Sequence, residues 1–318
     1  MKSEVTFRQF RYFIAAATTG RFSSAAVQEH VSQSAITSAV QSLEQQLKVK
    51  LFDRLPHGVA LTPTGQVFFH HARHVMDSVN DAMRHASLIP QAAQGTIRIA
   101  ATYTVLGYFL PDLLSRFKRS YPQVEIDLVD MDRQTLELAL EQGSIDLGIG
   151  LLSNIEPGAR LGRHLLVRSR RRVWVGADHP LAGEPIVSLE EIARHPYILL
   201  TVDDADTAAL RHWAGTRTKL KIAMRTGSLE ALRGLVAYGF GVSILSDLVY
   251  RPWSLEGKKI VGIPISDPVA PMDVGLVWPG AREPRDLADA FRQFLIQACE
   301  GFGESAQTPS VPTPGGRR

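Results

Sequence analysis

Four polar side chains with little bulk, Ser34, Ser38, Gln41 and Gln45, recur at intervals of four, three and four residues. A helix carries such a set on one face. Each member offers hydrogen-bond donors and acceptors, the chemistry that reads base edges in a DNA major groove. About half a turn away, Ile36, Val40, Leu43 and Leu47 form an apolar stripe with the same spacing. Ser32 sits where an N-cap belongs, its hydroxyl able to accept a first-turn N–H. An ordinary amphipathic helix with a solvated face has the same pattern, so the flanking segments must decide. Thr37, Ser38 and Gln41 are the candidates for base edges, with Ser32, Gln33 and Ser34 near base or phosphate. Arg54, Thr62 and Thr64 are candidates for the DNA backbone.

The elements around this helix support that use. A short helix from Phe22 and a tight turn precede it. Leu51-Phe52-Asp53-Arg54 and Val59-Ala60-Leu61-Thr62 flank Pro56-His57-Gly58, which predicts a small hairpin, or wing. Pro63 then opens a long helix in the first helical position. Phe68, Ala72, Val75, Val79, Ala82 and Ala86 follow at spacings of 4, 3, 4, 3 and 4, a heptad seam. Residues 63–88 as one helix would run roughly 39 Å. A helix of that length needs a partner, either a second chain or its own.

Residues 6–65 resemble the winged helix-turn-helix of the LysR-type transcriptional regulators. The ordered parts are Phe7, Phe10 and Phe13, Ser32-Gln33, Leu43-Glu44, Leu51-Phe52-Asp53-Arg54, and Leu61-Thr62-Pro63-Thr64-Gly65. The sequence departs from the family pattern at Ser34, where Pro is common, and at Ser38, where a long or basic side chain is common.

Composition sets outer bounds. A chain of 318 residues with 45% hydrophobic content can build two or three domains. No run of about 18 apolar residues marks a membrane span. The first residues lack a basic segment followed by an apolar one, so no signal peptide is expected. A single cysteine, Cys299, excludes an intrachain disulfide framework and suits a reducing cytoplasm. The net charge of +3 is a weak argument for nucleic acid by itself. His70 and His74 share a helix face near His71 and His85, but no third ligand stands at a fixed spacing, so a solvated face is expected and no metal or cofactor.

From Thr96 onward strands and helices alternate: strand 96–101, helix 107–120, strand 124–130, helix 133–142 closed by Gly143, and strand 145–150. A second series runs from about 164 to 264. It includes strands 172–175, 197–200, 220–225 and 242–246, and helices 188–194, 205–214 and 228–238. Strand 272–278 and a last helix, 284–300, return the chain. Alternation argues for βαβ units and parallel sheets. Two lobes joined by two crossings give a hinged cleft, similar to the effector domain of the same family and to periplasmic solute-binding proteins.

The expected fold class is an N-terminal all-α winged helix-turn-helix plus a long linker helix, followed by an α/β two-lobed periplasmic-binding-protein-like effector domain. The expected domains are the reader, 1–65, the linker helix, 66–90, and the effector domain, 91–303. Within the last, lobe I spans 91–163 and 265–303 and lobe II 164–264, and 304–318 form a disordered tail rich in Pro, Gly, Ser and Thr.

Ligands in such sheets lie beyond the carboxyl ends of strands. The candidates there are Thr102, Tyr103 and Thr104, then Asp130, then Leu151, and in lobe II Thr201, Gly227 and Ser228. Their hydroxyls and free N–H groups suit an anionic metabolite, though turn-capping is the competing role for each. The run Arg168 to Arg172, broken by Ser169, could bind ligand or DNA or straddle a strand.

The resemblance implies a cytoplasmic regulator that binds double-stranded operator DNA, senses a small, anionic effector and pairs through its linker helix. It also implies tetramers with antiparallel effector domains, and RNA polymerase as a further candidate partner. The alternatives are a solute-binding protein without a regulatory role and an enzyme. Against the enzyme, the α/β region shows no GxSxG, P-loop, GxGxxG or metal-ligand set.

Overall fold

The computed structural model describes residues 5–55, 58–85, 94–155, 161–214, 220–280 and 286–300. The chain divides into two compact units, Met1–Gln91 and Ala92–Arg318. The predicted tail, the seam positions Ala82 and Ala86, and the side chains of His70, His74 and His85 lie outside the described residues.

The first unit holds α1 (Phe7–Thr19), α2 (Phe22–Gln28), α3 (Gln33–Leu47), β1 (Phe52–Leu55), β2 (Gly58–Leu61) and α4 (Pro63–His85). Thr6 and Gln9 form a reciprocal capping box at the start of α1. Gly20 ends α1 with φ of 68°, a left-handed position that glycine enters without strain. Phe13, Ile36, Val40, Leu43, Leu51 and Ala72 form the buried centre. Strands β1 and β2 pair antiparallel, Phe52 opposite Leu61 and Arg54 opposite Val59.

Glu44 holds α3 to the hairpin. Its carboxylate is buried and accepts from the Leu51 N–H at 2.7 Å and the Phe52 N–H at 3.2 Å, with the Lys50 ammonium at 3.2 Å. Thr62 closes the other side. Its hydroxyl donates to the Lys50 carbonyl at 2.8 Å and accepts from the Gly65 N–H at 2.9 Å, which caps α4. Gly65 is required there because a Cβ would stand 2.0 Å from the Leu51 carbonyl oxygen.

The heptad seam of α4 divides. Phe68 stacks on Phe10 and meets Phe13 edge-on, at centroid distances of 5.6 and 5.1 Å, and Ala72 is fully buried. These two positions belong to the core of their own domain. Val75 is exposed and Val79 half-buried.

The second unit holds β3 (Gly95–Ala101), α5 (Tyr103–Tyr108), α6 (Leu110–Ser120), β4 (Val124–Asp130), α7 (Arg133–Gln142), β5 (Leu147–Leu151), β6 (Leu161–Ser169), β7 (Arg171–Gly176), α8 (Leu189–Ala193), β8 (Tyr197–Leu200), α9 (Ala205–Trp213), β9 (Ile222–Thr226), α10 (Leu229–Ala237), β10 (Ser243–Ser246), β11 (Ile260–Ile263), β12 (Met272–Pro279) and α11 (Asp286–Cys299). Lobe I is a five-stranded sheet in the order β4-β3-β5-β12-β6. Strands β3, β4 and β5 are parallel, whereas β12 runs antiparallel to β5 and to β6. Helices α6 and α11 cover one face through Phe117 on Phe291 and Phe294, and α7 covers the other through Leu136 and Leu140.

In lobe II, β7 lies between β10 and β11, antiparallel to both. Strands β8 and β9 are parallel and join β10 through the Tyr197–Val242 bridge. Helices α8 and α9 pack on one side, and α10 packs against Trp174 on the other.

Three expectations change. Residues 164–169 belong to lobe I, not lobe II, because the whole of β6 pairs with β12, from Met272–Ser169 to Pro279–Leu161. The first crossing therefore falls at Arg170 rather than at residue 164. The return lies between Ile265, which still bridges to Val187 of lobe II, and Met272. Helix 107–120 is two helices broken at Phe109, because Pro111 has no N–H for the preceding turn and its ring disfavours a continuous helix. The parallel sheets carry antiparallel strands, which are those that make or follow the crossings.

Cys299 is buried at the end of α11, and burial pushes its thiol up to about 12. A thiol so held is not a thiolate nucleophile at neutral pH.

Two outcomes follow from this architecture. Glu44→Ala orphans two N–H groups at the hairpin start and should cost about 2–4 kcal/mol of first-unit stability. Urea unfolding followed by tyrosine fluorescence measures it, and an unchanged midpoint would remove Glu44 from this role. The second concerns acid. Burial, with the Arg171 and Arg211 cations nearby, lowers His212 to about 4. The unfolded chain then binds more protons than the folded one between pH 4 and 6.5, so stability is lost as the pH drops through that window. After allowance for partial solvation the loss between pH 7 and pH 5 should be about 1–2 kcal/mol. His212→Gln should flatten that part of the profile, and an identical acid profile would rule the histidine out.

Candidate nucleic-acid interface and inter-lobe cleft

In the first unit Ser32, Gln33, Ser34, Ser38, Gln41 and Gln45 are all exposed, opposite the buried stripe of α3. Ser32 caps α3, accepting from the Ala35 N–H at 3.2 Å, and its hydroxyl pairs with that of Ser34 at 2.9 Å. The Thr37 hydroxyl donates to the Gln33 carbonyl at 2.9 Å, so its lone pairs remain for an outside donor.

An open concavity of about 450 Å³ separates the start of α3 from the hairpin. Gln33 and Thr37 line it from the helix, Arg54 and Gly58 from the hairpin, and Arg21 and Ser23 from the start of α2. The hairpin is set against α1 and α2 by the Val59 N–H, which donates to the Gly20 carbonyl at 2.8 Å. A Cβ at Gly58 would stand 2.3 Å from that same oxygen. Two arginines therefore face a concave surface whose other wall is a polar helix, a shape and charge suited to a phosphate strand. Sequence reasoning had not assigned Arg21 a contact; its one signal was a cation directly before a helix that supports the reader.

Thr64 is exposed on the first turn of α4. Thr62 is different from its expected role. Its only donor is committed to the Lys50 carbonyl, so the structure uses it as a cap and a clamp.

In the second unit Thr102 and Thr104 are buried at the carboxyl end of β3. The Thr102 hydroxyl is buried and has no hydrogen-bond partner among the described residues. Thr102 and Leu151 line a cavity of about 10 Å³ together with Arg133, Asn154, Asp203 and Asp204. Thr104 and Leu151 line a second, of about 30 Å³. The cleft between the lobes is shut by lobe II itself. The Asp203 carboxylate accepts from the Thr104 N–H at 2.7 Å, the Asn154 amide donates to the Asp203 carbonyl at 2.7 Å, and Arg133 donates to the Asp204 carboxylate at 2.9 Å. Across another part of the interface the Tyr108 hydroxyl donates to Glu230 at 2.6 Å.

Asp203 and Asp204 both sit in left-handed backbone, with φ of 54° and 55°. Burial pushes the Asp203 carboxyl above the ordinary carboxylate range; hydrogen bonds from Thr104 oppose the shift and the nearby Asp130 adds to it. Asp130 itself is exposed, as is Tyr103.

Thr201, Gly227 and Ser228 cluster at the ends of β8 and β9, where a Cβ on Gly227 would lie 3.6 Å from the Thr201 hydroxyl. They line neither of the two cavities that contain Thr102 and Thr104. Ser228 caps α10 by accepting from the Ala231 N–H at 3.2 Å. The expected single site thus separates into a closed pocket around Thr102 and Thr104 and an outer turn. Sequence reasoning missed Asp203, Asn154 and Arg133. The Asp203-Asp204 pair directly after a strand was the available signal.

The arginine run is resolved into separate roles. Arg168 makes a two-bond pair with Asp273 at 2.9 and 2.8 Å, Arg172 pairs with Asp247 at 2.9 Å, and Arg170 is exposed. Among the described residues no group of three or more His, Cys, Asp or Glu side chains is arranged to hold a metal ion, and no helix is long and apolar enough to cross a membrane.

Known proteins share this arrangement. Residues 7–66 match the family model for bacterial regulatory helix-turn-helix proteins of the lysR family, and residues 90–300 match the LysR substrate binding domain. YnfL, an HTH-type transcriptional regulator of Escherichia coli, is 30% identical over 301 residues, covering 92% of this chain and 99% of that protein. The RuBisCO operon transcriptional regulator of Allochromatium vinosum is 27% identical, covering 92% and 96%. The crystal structure of HinK, a LysR family transcriptional regulator from Pseudomonas aeruginosa, superposes with a TM-score of 0.62 at 27% identity, over 95% of this chain and all of that one. With both family models in chain order on the two compact units, this chain belongs to the LysR-type transcriptional regulators, as a DNA-binding protein with an effector-binding domain.

Proposed function

We propose that the chain regulates transcription by binding operator DNA through α3 and the hairpin, under the control of a small anionic metabolite held between the lobes. The observation that carries the DNA part is the exposed Ser34, Ser38, Gln41 and Gln45 stripe beside a concavity lined by Arg21 and Arg54. Gln33, Thr37, Ser38 and Gln41 take base edges. Ser32, Ser34 and Thr64 lie beside base or phosphate, and Arg21 and Arg54 neutralise phosphates. Thr62 supports the hairpin from behind.

The effector part rests on Thr102, whose buried hydroxyl lacks a partner in a closed cleft. Hydroxyls and N–H groups next to Arg133 and Asn154 suit an anion. Leu151 lines that pocket, the exposed Tyr103 and Asp130 stand near its Asp203, and the outer turn of Thr201, Gly227 and Ser228 approaches a ligand only when the lobes part. A ligand with higher affinity for one lobe arrangement shifts the population toward it. The chain works in the cytoplasm as a dimer through the exposed part of α4. Two dimers join through antiparallel effector domains, and the operator-bound form meets RNA polymerase.

Gln33→Ala and Gln41→Ala should each weaken specific operator binding by about 1–3 kcal/mol. Arg54→Ala and Arg21→Ala should weaken all sequences alike and reduce the salt slope by about one unit each. Gel-shift titrations on specific and scrambled duplexes at several salt concentrations separate the two effects. Full affinity and an unchanged slope in all four variants would sink the interface.

Thr102→Val keeps the shape of the side chain and removes the unpaired hydroxyl. The melting temperature should hold or rise, because a buried polar group without a partner is lost. Effector affinity should fall about tenfold. Thermal melting, followed by calorimetry with the ligand that a metabolite screen returns, reads both signs. A less stable variant that binds as tightly as wild type would place the hydroxyl in the fold and not in the site.

A further inference from the structure

Arg171 opens β7, one residue beyond the crossing from lobe I. Unlike Arg168 and Arg172, it has no carboxylate within ion-pair distance among the described residues, and unlike Arg170 it is not exposed. Among the described residues its one side-chain hydrogen bond runs from Nε to the Ala270 carbonyl, at 3.1 Å. Arg171 is among the residues that line the cavity of about 30 Å³ between the lobes. Leu200, Leu229, Leu245, Val249 and Met272 supply most of the remaining wall. Asp203 also borders the cavity, but its carboxylate is engaged by the Thr104 N–H.

A cation beside so many apolar groups is poorly solvated, and burial lowers its pKa. Arginine stays charged in proteins, so the charge must be met some other way. Its planar fork matches a carboxylate with two parallel hydrogen bonds.

We propose that this inner pocket is the subsite for a small monocarboxylate with an apolar body, aromatic or branched aliphatic, whose carboxylate pairs with Arg171. The proposal rests on the reading of the cleft as the effector site and adds the chemical class of the effector. The apolar body packs on Leu200, Leu229 and Met272. As it stands the cavity has room for about two waters. Entry therefore requires the Asp203–Thr104 contact to break, which links occupancy of the subsite to the separation of the lobes.

Calorimetry on the full chain tests the assignment with benzoate and 3-methylbutanoate, their neutral amides, and two polar anions, citrate and inorganic phosphate. The two apolar carboxylates should bind at least about tenfold more tightly than their amides. Arg171→Gln should bring carboxylate and amide to the same affinity. Arg171→Lys, which keeps the charge and loses the fork, should fall between, and it decides the matter if Arg171→Gln does not fold. Amides that bind as well as carboxylates, or carboxylate affinity unchanged in the folded variants, would overturn the role of Arg171. Binding of citrate or phosphate alone would overturn the apolar class and leave the effector reading intact. No binding by any probe up to about 10 mM, with operator binding intact, would overturn both.

Discussion

A backbone N–H that folding removes from water must find an acceptor, and both working parts of this protein meet that demand with a carboxylate from another segment. In the first unit the acceptor is Glu44. Its two bonds, to the amides of Leu51 and Phe52, carry the chain from the end of the recognition helix into the hairpin. With Thr62 holding Lys50 from the opposite strand, the hairpin has one permitted position relative to α3. The concavity lined by Arg21, Arg54 and Gln33 exists because of that position. In the second unit the acceptor is Asp203, which reaches from lobe II to the Thr104 N–H of lobe I.

The two carboxylates differ in what opposes them. Glu44 lies on a regular helix and also meets the Lys50 ammonium. Nothing in its geometry resists the contact. Asp203 reaches its partner through two consecutive left-handed residues, each costing about 1–2 kcal/mol for an ordinary side chain. Burial works against its charge as well. The closed cleft is therefore a contact that backbone conformation and burial both work against, which lowers what a ligand in the proposed sensing role would have to supply to open it. The contact that sets the reader is thus unopposed, and the contact that shuts the cleft is opposed.

Local patterns were legible in the sequence, and remote pairings were not. The α3 stripe, its Ser32 cap and the exposed polar face all lie within one helix, so a period of 3.6 was enough to place them. Helix α7, with its Gly143 cap, and strands β4 and β8 appear where alternation and turn residues put them. Residues 164–169 fall to the wrong lobe in the sequence because the partner of β6, β12, lies about a hundred residues away and nothing local distinguishes the two lobes. The cleft failed for the same reason. Thr102, Asn154, Arg171 and Asp203 meet only through the crossings, and Asp203 reads locally as an ordinary turn residue. Thr62 shows a subtler limit. Its hydroxyl suits a phosphate or a cap equally well, and only the position of the Lys50 carbonyl decides.

The division of the α4 seam bears on how a signal reaches DNA. Phe68 and Ala72 are part of the same core as Phe13 and Leu43, so the first turns of α4 and the recognition helix move as one body. Phe69 adds a third anchor, edge-on to Phe13 at 6.4 Å. Val75 and Val79 lie beyond those anchors, with Met83 exposed a turn further on. In the proposed dimer the pairing surface and the reading surface are thus two ends of a single rigid piece. A helix repeats its side-chain pattern by packing and not by a flexible joint, so a change in the crossing angle of the paired helices has no slack in which to dissipate. It must reappear as a change in the distance between the two copies of Gln33 and Gln41. Operator half-site spacing is the quantity such a protein would sense, and the split of one heptad seam between core and surface is what makes it so.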